Sequence, residues 1–146
     1  MAGSEEAGNL AVIRGYYAAI ASGPATLDWD QWFAPNVIQE EFPNRLLPAG
    51  TRRDLRGRQE AAQRGQALLT EQKFELLDLM ASGSKVMVEA EWRGRVARDA
   101  GPFMAGTQMR TRYAQIFELQ NGKIVAVRNY DCFYPWESPG ANQSQT

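Results

Sequence analysis

Apolar residues recur at Leu10, Ile13, Tyr16, Tyr17 and Ile20, the three-and-four spacing of one helix face, and Gly23-Pro24 closes the run. The pattern predicts an amphipathic helix. A second, shorter helix is expected after Thr26 as its cap, with Asp28 at the positive end and Trp29, Trp32 and Phe33 on the apolar side until Pro35 stops it. Residues 37–42 read as a short strand. Residues 44–57 read as a loop broken by Pro48 and Gly50. A third helix is predicted over 58–69, and its stripe of Ala61, Ala62, Gly65, Leu68 and Leu69 is small enough to approach a sheet closely.

The period changes in the second half. Residues 73–81 and 85–96 read as strands around the Ser82-Gly83-Ser84 turn, with Val86, Val88, Ala90 and Trp92 on one face. A loop with Gly101-Pro102 and Gly106 leads to a strand over 107–120. Asn121-Gly122 then asks for a type I′ hairpin into a last strand over 123–133. Three helices and one short strand, followed by a four-strand meander, make an α+β fold with the helices on one face of a mostly antiparallel sheet. Alternation turns Met109, Thr111, Tyr113, Gln115 and Phe117 inward, and Val125, Val127, Asn129 and Asp131 with them. The opposite face carries Glu89, Glu91, Arg93, Arg110, Arg112 and Glu118, which the strand spacing predicts to form cross-strand ion pairs.

Composition narrows the chemistry. At 146 residues the chain has room for one domain, read here as 9–134, between a flexible N-terminus over 1–8 and a polar tail over 135–146. Sixteen basic against 17 acidic residues give a formal charge of −1, which does not point to nucleic acid. There is no histidine, and Cys132 is the single cysteine. Serine or cysteine nucleophiles paired with histidine, His-ligated metals, multi-cysteine zinc sites and internal disulfides are therefore excluded. Acid–base work falls to carboxylates, Tyr, Lys or Arg; no metal and no cofactor is expected, and no glycine-rich phosphate loop is present. Cys132 reads as an ordinary, partly buried thiol. The first eight residues lack a basic and apolar export signal, and no run approaches the ~20 apolar residues of a membrane span, so a cytoplasmic protein without membrane contact is expected. Asn142-Gln143-Ser144 has the glycosylation spacing, but in a polar tail without an export signal. Arg45, Arg52, Arg53, Arg56, Arg58 and Arg64 cluster around the loop and third helix. They read as a solvated rim paired with Asp54 and Glu60, or alternatively as a dock for an anion.

Three stretches resemble the nuclear-transport-factor-like superfamily, which includes ketosteroid isomerase, limonene epoxide hydrolase, scytalone dehydratase and SnoaL-like polyketide cyclases. "IRGYYAAIASG" is similar to the first helix of ketosteroid isomerases and "WFAPNVIQEEFP" to their first strand, while "RYAQIFELQNGKIVAVRNYD" resembles the superfamily's last hairpin. "GPFMAGTQMR" looks more SnoaL-like than isomerase-like. The resemblance implies a cone-shaped α+β barrel: three N-terminal helices packed on a curved, mostly antiparallel sheet around a deep apolar pocket. It also implies a homodimer packed through the convex sheet face.

Carried over residue by residue, the resemblance puts Tyr16 on the isomerase oxyanion tyrosine, Glu41 on the base, and Gln115 where a protonated acid stands; the handling of that enzyme's carboxylates is a known pattern. Gln115 still offers a donor, at any pH, but is never an acid. Asp131, two residues beyond Asn129 and facing the same way, resembles the acidic residue that SnoaL-like cyclases use near the end of the last strand. Desolvation among Trp92, Phe133 and Trp136 would raise its pKa. Each has a plainer reading as well: Tyr16 as core, Glu41 as a solvated strand end, Gln115 as a structural amide, Asp131 as a carboxylate paired with Arg128 or Arg14. The absence of histidine argues against the scytalone-dehydratase branch, and the absence of an inward carboxylate on the strand over 107–120 argues against the epoxide-hydrolase constellation.

The chain is thus expected to perform acid–base isomerisation, cyclisation or dehydration of a small apolar carbonyl compound such as a polyketide, terpenoid or steroid. Glu41 and Asp131 are the acid–base candidates and Tyr16 and Gln115 the oxygen-stabilising donors. Trp29, Trp92, Tyr113, Phe117, Asn129 and Val127 are expected around the substrate. The alternative is a non-catalytic binding or dimerisation module on the same fold.

Overall fold

The computed structural model describes residues 2–23 and 26–139; the Asn142-Gln143-Ser144 spacing and the last seven residues lie outside it. Helix α1 runs Ala2–Ser22, so residues 3–8, set apart by the sequence pattern, belong to its first turns. Its stripe holds: Ile13, Tyr16, Tyr17 and Ile20 are all buried. The second helix is a single turn, α2 Trp29–Trp32, with Asp28 and not Thr26 at its N-cap position. Phe33 is not helical but opens β1, Phe33–Glu41.

Strand β2, Thr51–Arg53, lies inside the predicted loop and pairs antiparallel with β1. Helix α3, Leu55–Leu68, starts three residues earlier than the apolar stripe suggested, because the Asp54 carboxylate accepts from the Gly57 N–H and caps it. The remaining strands are β3 Leu69–Ser82, β4 Lys85–Val96, β5 Gln108–Gln120 and β6 Lys123–Phe133. The last hairpin turns through Asn121 and Gly122, whose φ values of 51° and 75° are those the type I′ turn requires.

The six strands form one sheet in the order β2-β1-β6-β5-β4-β3, antiparallel except where β1 runs parallel to β6. The fold is mixed α+β, but the sheet is an open curved one and not a closed barrel, since β2 and β3 are its free edges. The third helix also follows the first two strands in the chain instead of preceding the sheet.

Alternation along β5 buries Met109, Thr111, Tyr113, Gln115 and Phe117, as the sequence predicts, and Leu119 continues the series. On β6 it fails at one point. The register against β5 shifts between Glu118 and Leu119, leaving Val125 without a partner; this bulge turns Ile124 inward with Val127 and moves Val125 off the inner face. The inner face is apolar at one end, where Phe117, Leu119, Ile124, Val127, Phe33 and Ile13 pack together. At the other end it carries Thr111, Tyr113, Gln115 and Asn129. That gradient along the strands places the site.

On the outer face Glu91 accepts from Arg93, Arg110 and Arg112, Arg112 also meets Glu89, and Arg128 donates to Glu118. Hydrogen bonding from Arg110, joined by Arg93 and Arg112, holds the Glu91 carboxyl down to about 2 against its burial. Cys132 is exposed on this face and not partly buried. Beyond β6 the chain stays ordered over 135–139: Glu137 and Gln108 exchange backbone bonds of 2.8 and 3.1 Å, and Trp136 packs edge-on against Phe103 and Phe133. No helix among the described residues is long and apolar enough to cross a membrane.

Candidate active site

Strand pairing brings the polar candidates together. Parallel register sets Glu41 of β1 beside Asn129 of β6, and antiparallel register sets Gln115 and Tyr113 of β5 opposite Asn129 and Asp131. Helix α1 lays Tyr16 and Tyr17 over this end, and α3 faces it with Ala61, Ala62 and Gly65. Between them is a cavity of about 310 Å³, whose wall includes Tyr16, Glu41, Gln115 and Asp131. Trp29, Trp92, Tyr113 and Asn129 line it too. Phe117 and Val127 do not: each is 1% exposed, in the apolar core farther along the strands. Alternation identified their face but not their depth. A larger groove of about 720 Å³ on the outer face, beside Arg93, Arg95 and Arg110, holds none of these candidates.

A directed chain of hydrogen bonds runs under the cavity. Tyr17 donates its hydroxyl proton to Gln115 Oε1. A phenol has one proton, so the 3.0 Å bond between the Tyr17 and Tyr113 hydroxyls must have Tyr113 as donor. Gln115 Nε2 donates to Asn129 Oδ1 at 3.1 Å, and Gln39 Nε2 donates to the same oxygen at 2.8 Å. The Asn129 side chain, two residues before Asp131 on the same face of β6, favours the charged form of that carboxyl. Desolvation, the largest cause in both cases, pushes the Tyr17 and Tyr113 hydroxyls well up, so both remain protonated links in this chain. Tyr16 differs. Its oxygen accepts from Arg58 Nη2 at 3.2 Å, and its own proton is left to donate into the cavity.

The two carboxylates are held unequally. Glu41 pairs with Arg53 at 3.1 Å, both side chains about one-fifth exposed. Asp131 has no cationic partner among the described residues: Arg128 is engaged by Glu118, and Arg14 is exposed. Burial, with the Glu41 charge adding to it, raises the Asp131 carboxyl from 3.8 to about 6, against the smaller opposing effect of Asn129. Trp92 and Phe133 share the cavity with it, but Trp136 lies outside, packed on Phe103. A carboxyl that titrates near neutrality, next to hydroxyl and amide donors in a largely apolar cavity, can accept and return a proton while an oxyanion is held.

The sequence profile of the SnoaL-like domain matches residues 13–127. The chain belongs to the SnoaL-like family. Among solved structures it is similar to IdmH of Streptomyces antibioticus, a candidate polyketide cyclase: TM-score 0.70 and 21% identity over 84% of this chain and 91% of that one. It is also similar to a limonene-epoxide-hydrolase-like enzyme of M. tuberculosis, at TM-score 0.65 and 17% identity over 88% and 85% of the two chains. An NTF2-like protein of Burkholderia thailandensis gives TM-score 0.65 and 19% identity over 86% and 90%. At these identities the likeness is one of fold. No match is found among curated proteins.

Several groups in this SnoaL-like cavity were not singled out from the sequence as site residues. Gln39, 2% exposed, lies two residues before Glu41 and hence on the same face of β1, and its Oε1 is a buried acceptor without a partner. Tyr17 was passed over as core beside Tyr16. Arg53 and Arg58, read as rim, line the cavity. The small stripe of α3 also has a different meaning from the one expected. None of α3 is fully buried, and the volume missing at Ala61, Ala62 and Gly65 is cavity instead of close packing. A Cβ at Gly65 meets nothing within 4 Å. Gly65→Ala is therefore expected to gain up to ~1 kcal/mol from helix propensity. Gly65→Leu should fold equally well and weaken binding of any cavity ligand at least tenfold, measurable by calorimetry against the alanine variant.

Proposed function

We propose that this SnoaL-like chain is a cytoplasmic, cofactor-independent acid–base enzyme that isomerises, cyclises or dehydrates an apolar carbonyl compound of polyketide, terpenoid or steroid type. The observation that carries the reading is Asp131: a carboxyl inside the cavity, without a cationic partner and titrating near pH 6. Asp131 takes the proton from the carbon next to the carbonyl. Tyr16 and Gln115 hold the oxygen on which charge develops. Glu41, anchored by Arg53, sets the proton affinity of Asp131 through its charge. Incubation of the protein with cyclic 1,3-diketones and polycyclic ketones in D₂O tests this step. Exchange at the α-carbon, read by NMR, should exceed the buffer rate and depend on Asp131. A ligand that binds without enhanced exchange would leave the binding-module reading, which the Glu41–Arg53 ion pair favours.

The reading includes a homodimer through the outer sheet face. Met80 and Met87 sit opposite each other in register and are 58% and 48% exposed, with Tyr130 beside Ala114 on the same face. Light scattering at micromolar concentration should give twice the 16.3 kDa chain mass, and Met87→Glu should halve it. A monomeric wild type removes the claim.

A further inference from the structure

Arg58 is out of place for a rim arginine. Among the described residues six arginines are half-buried, and five of them, Arg53, Arg95, Arg110, Arg112 and Arg128, pair with a carboxylate. Arg58 has none within 4 Å. Its Nη2 donates to the neutral Tyr16 hydroxyl, and its Nε is buried with no acceptor. The guanidinium lies 5.6 Å from the centre of the Trp29 ring and 5.7 Å from that of Phe33, on the wall of the cavity. Aromatic faces hold a cation in place but do not neutralise it. A half-desolvated cation without a counter-ion is costly, and leaving one in a ligand cavity makes sense if the ligand supplies the missing charge.

The rest of the wall limits that charge. Arg53 and Glu41 cancel each other, and Asp131, which has no cation of its own among the described residues, would repel a second negative charge on the ligand. One unpaired cation therefore matches a monoanion, and the flat guanidinium fork suits the two oxygens of a carboxylate. Trp29, Trp92 and Tyr113 in the same wall suit an apolar ring system. We infer that the natural ligand is an apolar, cyclic carboxylic acid whose carboxylate pairs with Arg58. This rests on the proposed acid–base reading of the cavity and adds the ligand's charge to it. Arg58 then anchors the acid end on the Trp29 side of the cavity, and the reacting carbonyl lies within reach of Tyr16, Gln115 and Asp131.

The test compares 2-naphthoate, its methyl ester and its carboxamide, which share one ring system, by calorimetry and tryptophan quenching at pH 7.5. Wild type should bind the carboxylate at least tenfold tighter than either neutral analogue. Arg58→Gln should weaken the carboxylate about tenfold or more and leave the ester unchanged, and Arg58→Lys should restore part of the preference. Because Arg58→Gln removes an uncompensated charge, its melting temperature without ligand should equal or exceed that of wild type, which separates lost recognition from lost folding. Equal affinity for acid and ester overturns the inference, as does failure of the carboxylate to bind or an equal loss of both ligands in Arg58→Gln. Arg58-dependent binding of the acid without α-carbon exchange for any ligand would overturn the catalytic reading and leave this one standing. Exchange on neutral ketones with no preference for acids would do the reverse.

Discussion

Asp131→Asn is expected to lower kcat on an identified substrate by roughly 10²–10⁴-fold, the range for removing a positioned general base, while making the folded protein more stable above pH 7. The two effects share one cause. The folded-state pKa of about 6 lies above the ordinary 3.8, so the native state holds the proton more tightly than the unfolded chain does. That contribution is fully present below about pH 3.8 and is lost as pH rises through 6. At ~1.4 kcal/mol per tenfold change in proton affinity the full difference is about 3 kcal/mol, and partial solvent access reduces it to about 1–2 kcal/mol. An asparagine pays none of it at pH 8, so the variant should melt roughly 3–8 °C higher there and no higher than wild type at pH 4. In wild type the base form disappears as pH falls, so kcat/KM should drop below about pH 6. Glu91 acts in the opposite sense: its pKa is held down to about 2, so its contribution is present above its ordinary 4.5 and lost as pH falls toward 2. A variant that melts lower than wild type at pH 8, with unchanged turnover, would mean that Asp131 is a structural carboxylate.

How far the sequence reaches differs between fold and site, for physical reasons. The bounds of β4 and β6 are those predicted, because turn residues punctuate both and Asn121-Gly122 leaves the chain one hairpin to make. Strand β2 was invisible. Three residues, Thr-Arg-Arg, have no pattern of their own, and they become a strand through pairing with β1, a distant consequence of the fold. The bulge at Val125 escaped for a similar reason: counting by twos assumes that no residue is extra. In the site, alternation found the inward carboxylate and amides, and all four chemical candidates do share one cavity. Charge misled where it was read as exposure, since Arg53 and Arg58 turn inward to Glu41, Tyr16 and the aromatic rings. Small residues misled where they were read as close packing, since whether Gly65 faces a neighbour or a void depends on a distance no local pattern contains.

Gln115→Met is expected to lower kcat by roughly 10²–10³-fold, the usual effect of losing one oxyanion donor, with little change in KM. The hydrogen-bond directions give the reason. Gln115 Oε1 is occupied by the Tyr17 hydroxyl and one N–H is committed to Asn129, so the second N–H is left for the cavity. Tyr113 cannot replace it, because its proton is committed to Tyr17. Tyr16 is the other donor, and Tyr16→Phe should cost a comparable factor while also freeing Arg58 Nη2. Methionine at 115 conserves volume but leaves the Tyr17 proton and one bond of Asn129 unmatched, a stability loss of about 1–3 kcal/mol, so rate loss and partial unfolding have to be separated. Gln115→Glu does this. Its carboxyl can still accept from Tyr17, and it is a donor toward the cavity or Asn129 only while protonated. Its kcat should therefore fall as pH rises, although the wild-type amide holds its rate and Asp131 becomes a better base over the same interval. A Gln115→Glu profile parallel to that of wild type, or a Gln115→Met variant that raises KM and spares kcat, would assign Gln115 to binding the ground state and leave Tyr16 as the oxyanion donor.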